Sequence, residues 1–163
     1  MLVVLPFALP DGERLQPWAL SAAKLALRQD GWKVDARFMA KDDSYYELLC
    51  EYWAKGEDFC VVEHDIVVWP GALSEMEACR EPWCTRPYYC SVGWILDGLG
   101  CARFSGTFTR LHPEFLKPPF PTCCQHTTYY CGLDRLVAHR MQELGLKPHV
   151  HNPGVVNLNQ KWT

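Results

Sequence analysis

The sequence predicts one α/β domain, a mostly parallel central sheet flanked by helices. Three observations point there. The first 68 residues alternate strand-like and helix-like patterns; 163 residues allow one domain and little more; and 48% hydrophobic with 21% charged residues provides a core and excludes wholesale disorder. Strand, helix, strand, helix, strand is the order that right-handed crossovers build into a parallel sheet.

Leu2 to Leu5 is a short apolar run that reads as a buried strand ended by Pro6. From Leu15 to Gln29, the positions Leu15, Trp18, Ala19, Ala22, Leu25 and Ala26 recur at helical spacing, with Pro17 suited to a first turn and Gly31 to a stop. Val34 to Phe38 alternates as a strand. Ser44 to Ala54 reads as a helix with Ser44 as N-cap and Lys55-Gly56 as its end. Phe59 to Val62 is a third apolar run, followed at once by Glu63-His64-Asp65. Beyond Pro70 the chain is richer in aromatic, Pro and Gly residues. There we expect a short helix over Leu73 to Cys79, strands over Tyr88 to Ile95 and Ala102 to Phe104, and a short helix over Leu111 to Leu116. A clear helix runs from Leu133 to Leu144, and the tail around His149-Val150-His151 is loop and short strand.

No apolar run reaches the ~18 residues of a membrane span. The opening residues lack the basic start and small-residue cleavage site of a signal peptide, so a cytoplasmic location is expected. A net charge of −3 provides no global field to draw in a polyanion; only a local face built from Arg103, Arg110, Lys117, Arg135 and Arg140 offers a route to DNA. Nine cysteines without an export signal argue against a full disulfide framework. Cys79, Cys84 and Cys90, with Cys123, Cys124 and His126, leave a structural zinc open, although none shows Cys-x-x-Cys spacing.

Parallel sheets bind ligands at the carboxyl ends of their strands, which is where Glu63 and Asp65 fall. On an extended backbone, residues two apart point to the same side. Two such carboxylates seat a hard divalent cation, and a cation there would neutralise a diphosphate and stabilise a leaving phosphate. An acidic pair that merely ends a strand in solvent is the plainer reading.

The block Phe59-Cys-Val-Val-Glu-His-Asp-Ile-Val-Val resembles the acidic motif of glycosyltransferases with the GT-A fold, a strand ending in Asp-X-Asp or a variant, here Glu-X-Asp. The resemblance implies a nucleotide-binding half over 1–68 and an acceptor-side half over 69–163 of a single domain. It further implies a nucleotide-sugar donor, a UDP-sugar first, and a manganese or magnesium ion. Asp65 would bind that ion, Glu63 would contact the donor ribose or support the ion, and Pro6, Phe7 and Ala8 would line the base pocket. Arg14 would reach the base or a phosphate. His151, a neutral imidazole at ordinary pH, lies where many such enzymes place a late histidine that completes the metal site.

An inverting transfer needs a group to take the acceptor proton. Asp134, opening the last helix, resembles the acidic base of many of these enzymes; an acid in a first turn also complements the helix dipole without any catalytic role. Asp97, in the Gly-rich turn Leu96 to Gly100, is the rival. Trp83, Tyr88, Tyr89 and Trp94 offer stacking surfaces or simply a core. Such enzymes are usually longer, so acceptor recognition is expected to draw on another chain, a homo-oligomer included, or on a large rigid acceptor; a modified base in DNA is one conceivable acceptor. Two alternatives stay open: nucleotidyl or phosphoryl transfer by the same acidic pair, and a zinc-stabilised interaction module.

Overall fold

Side chains that alternate along the central strands sort into two cores, one on each face of a sheet. Val3, Leu5, Cys60 and Val62 pack on one face, while Val4, Phe59 and Val61 pack on the other, as the two-residue period of a strand requires. The computed structural model describes residues 1–8, 17–41, 43–90, 93–120 and 132–158.

Five strands and three helices come first: β1 (Leu2–Ala8), α1 (Pro17–Gln29), β2 (Val34–Met39), α2 (Ser44–Lys55), β3 (Phe59–Val62), β4 (Ile66–Val68), α3 (Ala72–Ala78) and β5 (Trp83–Thr85). They are followed by β6 (Tyr88–Cys90), β7 (Gly93–Ile95), β8 (Cys101–Phe104), α4 (Gly106–Leu111), α5 (Leu133–Glu143), β9 (His149–Val150) and β10 (Val155–Asn157). Six strands form the main sheet in the order β2-β1-β3-β8-β5-β9. β1 pairs in parallel with β2 and β3, and β5 with β9; β8 alone runs antiparallel to its two neighbours. The mostly parallel sheet expected from the sequence is present, and it draws strands from both halves of the chain.

On one face, Tyr45, Leu48, Leu49, Tyr52 and Trp53 of α2 meet Phe108 of α4 and Leu133, Leu136, Val137 and Met141 of α5. Trp53 stacks on Phe115 with centroids 4.6 Å apart and donates its indole N–H to the His112 carbonyl at 2.8 Å. On the opposite face, Ala23 and Leu27 of α1 and Leu73 and Met76 of α3 cover the sheet.

Several local expectations shift. β1 continues through Pro6 to Ala8, because the N–H that proline lacks falls on the side facing β3. The pairing with β3 stops at Val4, so no ladder bond is lost there. Asp43, not Ser44, is the N-cap of α2; the Ser44 hydroxyl instead accepts from the Lys41 N–H at 3.1 Å. Gly56 ends that helix in the left-handed region at φ 66, as its place in the sequence suggests. The helix expected over Leu111 to Leu116 does not form: α4 lies before it, capped by the Ser105 hydroxyl accepting from Phe108 N–H, and ends at Leu111, and residues 113–116 are turns. Tyr88 to Ile95 is a hairpin, β6 with β7, rather than one strand.

Candidate functional site

The Glu63-His64-Asp65 segment is a turn, not an extended strand end. Ile66 N–H donates back to the Glu63 carbonyl at 3.0 Å, closing a four-residue turn. The two carboxylates therefore do not owe their proximity to strand alternation. Glu63 is anchored by its N–H, which donates to the Gly100 carbonyl at 2.9 Å. Asp65 is anchored by its carbonyl, which accepts from Leu158 N–H at 2.7 Å, at the end of a small antiparallel ladder of β4 with β10.

A third carboxylate arrives from α5. Asp134 sits in that helix's first turn, and its Oδ1 accepts from the Leu99 N–H at 2.7 Å. The Tyr45 hydroxyl donates to Glu63 Oε1 at 3.1 Å. Burial first, then the charges of Asp134 and Asp65, push the Glu63 carboxyl well above the usual range, against the opposing Tyr45 bond. Burial and the charge of Asp97 likewise raise Asp134, opposed by the Leu99 N–H. The Tyr88 phenol is raised as well, by burial and then by Glu63, Asp134 and Asp65. Crowded carboxylates that hold protons in this way favour a cation. Glu63 and Asp134 are each partly exposed as whole residues, while their carboxyl groups lie buried.

Gly98 and Gly100 let the Tyr88 ring close against the floor of this cluster. A Cβ on Gly100 would stand 2.5 Å from Tyr88 Cε1, and one on Gly98 would stand 2.6 Å from the Tyr88 hydroxyl. Asp97, in the same turn, is exposed and borders a cleft of about 970 Å³ that Trp94, Arg135, His139 and Lys147 also line. Of the four aromatic residues marked in the sequence, Trp83 and Tyr88 are buried, whereas Tyr89 and Trp94 stand exposed, edge to face at 5.8 Å.

The structure thus brings Glu63, Asp65 and Asp134 together, with Asp97 beside them. Pro6 is buried, and Phe7 packs on Phe38 with the Lys24 ammonium 5.3 Å from its ring. Both belong to strand β1, as does Ala8, rather than to a loop. Arg14 lies outside the described residues, as do Cys123, Cys124 and His126. His151 is not brought to the carboxylates. It follows β9, which is separated from β3 by β8 and β5, and its imidazole joins Cys79 and Cys84, the ligand atoms of the three all within 4.8 Å of one another. Burial, Arg86 and His149 lower the His151 pKa. Four of the five basic residues marked for DNA are engaged within the fold: Arg103 with Asp58, Arg110 with the Gly56 carbonyl, Lys117 with Glu114 and Arg140 with Glu143.

Tyr45 and Tyr88 are the site residues that the sequence did not single out for the carboxylates. Tyr45 lies on α2, eighteen residues before Glu63. Only the crossover of α2 behind β3 brings its hydroxyl into reach.

No protein-family model matches the chain, and comparison with curated proteins finds no match. Solved structures do match. A glycosyltransferase involved in glycosylation of the major capsid of PBCV-1 superposes with a TM-score of 0.56 at 7% identity, over 99% of this chain and 95% of that one. The inositol-1-phosphate CTP transferase from T. maritima gives 0.58 at 11%, over 99% and 90%. A putative glucose-1-phosphate thymidylyltransferase from Bacillus anthracis gives 0.50 at 9%, over 98% and 71%. The fold is therefore GT-A-like, the Rossmann-like architecture that glycosyl- and nucleotidyltransferases share.

Proposed function

We propose that the protein is a nucleotide-sugar-dependent glycosyltransferase, with its donor diphosphate bound beside Glu63 and Asp65. The observation that carries this reading is the convergence of Glu63, Asp65 and Asp134 beyond the end of β3 in a GT-A-like fold. The site's chemistry suits a divalent cation such as manganese or magnesium. Its donors are oxygens only, and the crowding that raises Glu63 and Asp134 is relieved by positive charge. The three carboxylates do not form a closed cage; among the described residues, the group whose ligand atoms all lie within 4.8 Å of one another is Cys79, Cys84 and His151. An ion held by one or two carboxylates, with donor phosphates and waters completing its shell, fits that openness. When bound, such an ion would stabilise the charge developing on the leaving diphosphate.

Asp65, fixed through its backbone by the β4–β10 ladder, and Glu63 would hold the ion. Asp134 is the proposed base. Its raised pKa brings it closer to the working range of a general base, and the Leu99 N–H fixes its orientation. Asp97 and the exposed Trp94 face the adjoining cleft, where an acceptor hydroxyl would approach. A UDP-sugar is the first donor to test, and a modified base in DNA is one acceptor to test.

The deciding experiment is a thermal-shift panel of nucleotide-sugars and nucleoside triphosphates, with and without manganese. We expect a manganese-dependent shift with a nucleotide-sugar that Asp65→Ala abolishes. A triphosphate that outcompetes every nucleotide-sugar would move the assignment to nucleotidyl transfer. A shift that survives Asp65→Ala would overturn the site.

A further inference from the structure

Cys79, Cys84 and His151 come from three separate parts of the fold. Cys79 closes α3, Cys84 lies in β5 and His151 follows β9. The parallel pairing of β5 with β9 sets Cys84 opposite His149 and lets His151 N–H donate to the Thr85 carbonyl at 3.0 Å. His149 and His151 then share a face, their rings 4.6 Å apart. That face is the α3 side, where the Cys84 thiol points toward the Met76 carbonyl.

Three features distinguish this cluster from thiols that merely fill a core. The ligand atoms of all three residues lie within 4.8 Å of one another, while tetrahedral zinc with two sulfurs and a nitrogen needs them about 3.5–3.8 Å apart, given its bond lengths. Small side-chain rotations close that gap. His151 Nε2 is buried and finds no hydrogen-bond partner among the described residues, an expense that folded proteins normally avoid. Cys79 and His151 are partly exposed, so an ion has a way in.

We propose that Cys79, Cys84 and His151 bind a zinc ion that ties the end of α3 to strands β5 and β9. Two thiolates and a neutral imidazole balance the dication and release two thiol protons to solvent on binding. The sulfur-rich donor set selects zinc over magnesium or manganese. The fourth position falls to water or to His149. The proposal does not depend on the transferase reading, since β8 lies between β5, which carries Cys84, and β3, beyond whose end the acidic cluster sits.

The test is anaerobic titration of the reduced, metal-free chain with cobalt(II), followed by displacement with zinc. We expect one equivalent of cobalt with a thiolate charge-transfer band and the visible bands of a tetrahedral site, both erased by zinc. Cys79→Ser and His151→Gln, at partly exposed positions where folding is expected to survive, should each weaken zinc at least tenfold. Cys50→Ser should not. Circular dichroism of each variant separates lost ligation from lost fold. A wild-type chain with no tetrahedral cobalt spectrum, or folded Cys79→Ser and His151→Gln variants with wild-type zinc affinity, would overturn the proposal.

Discussion

Two clusters of candidate metal ligands sit at different places on one sheet, and their contrast is chemical. The central one, beyond β3, is all oxygen: Glu63 and Asp65 on a turn, Asp134 from a helix start, partly exposed and not drawn into a closed cage. The peripheral one, at β5 and β9, is sulfur and nitrogen, with Cys84 fully buried and the ligand atoms already close together. An open set of hard donors suits an ion shared with a substrate's phosphates; a compact set of soft donors suits an ion that stays. A strand end supplies loops free to vary, whereas an edge strand needs something to hold it.

The largest effect we expect comes from Asp134→Asn. Turnover should fall by about 10²–10⁴-fold, the usual worth of a positioned acid–base group, while the manganese-dependent thermal shift with donor persists; unchanged turnover would transfer the role to Asp97 or another group. Next, chelation should divide the clusters. Brief treatment with a weak chelator should abolish turnover, manganese should restore it, and zinc content should not change. Turnover that tracked zinc instead would erase the distinction.

Gly100→Ala should cost about 1–3 kcal/mol, the usual range for overpacking, since its Cβ would stand 2.5 Å from Tyr88 Cε1. Denaturant unfolding would measure that loss, and cobalt uptake at the cysteines should be spared. The smallest effect concerns pH. Glu63 and Asp134 carry raised pKa values when folded, so the folded state keeps protons that the unfolded chain has released. Stability is then expected to decline as pH rises from the ordinary carboxylate value of about 4.3 through the raised folded values. Glu63→Gln should flatten that decline and raise the neutral-pH melting temperature by a few degrees. A profile as steep as the parent's would show that the carboxylates do not crowd.

The parts of this architecture legible in the sequence are those that carry a period or a terminator. Leu2 to Leu5, Gly56 and the Leu133 to Met141 face each announce themselves locally, and the order of the first five elements dictates the parallel β1, β2 and β3. The α1 helix was legible but its buried face was not, since Leu25 stands exposed while Ala23 and Leu27 are buried. The location of Glu63 and Asp65 past a central strand followed from that order, although the turn that arranges them did not. Three-residue strands such as β4 and β5 are too short to display alternation. His151 was misleading for a different reason: its destination is decided by a two-residue pairing of β9 with β5, far along the chain from either cysteine. Tyr45 and Tyr88 were hidden in the same way, since each reaches the carboxylates through packing and neither through spacing.

Within the six-stranded sheet, β8 is the strand that runs antiparallel to both its neighbours, and this has a structural consequence. Because it runs against β3, its entry sits beside that strand's exit, with Gly100 bonded to Glu63 at the junction. The Leu96–Gly100 bend, which restrains Asp134 through Leu99 and borders the neighbouring hollow through Asp97, therefore abuts the acidic trio directly. If the proposed function holds, donor and acceptor would share this bend as a common wall.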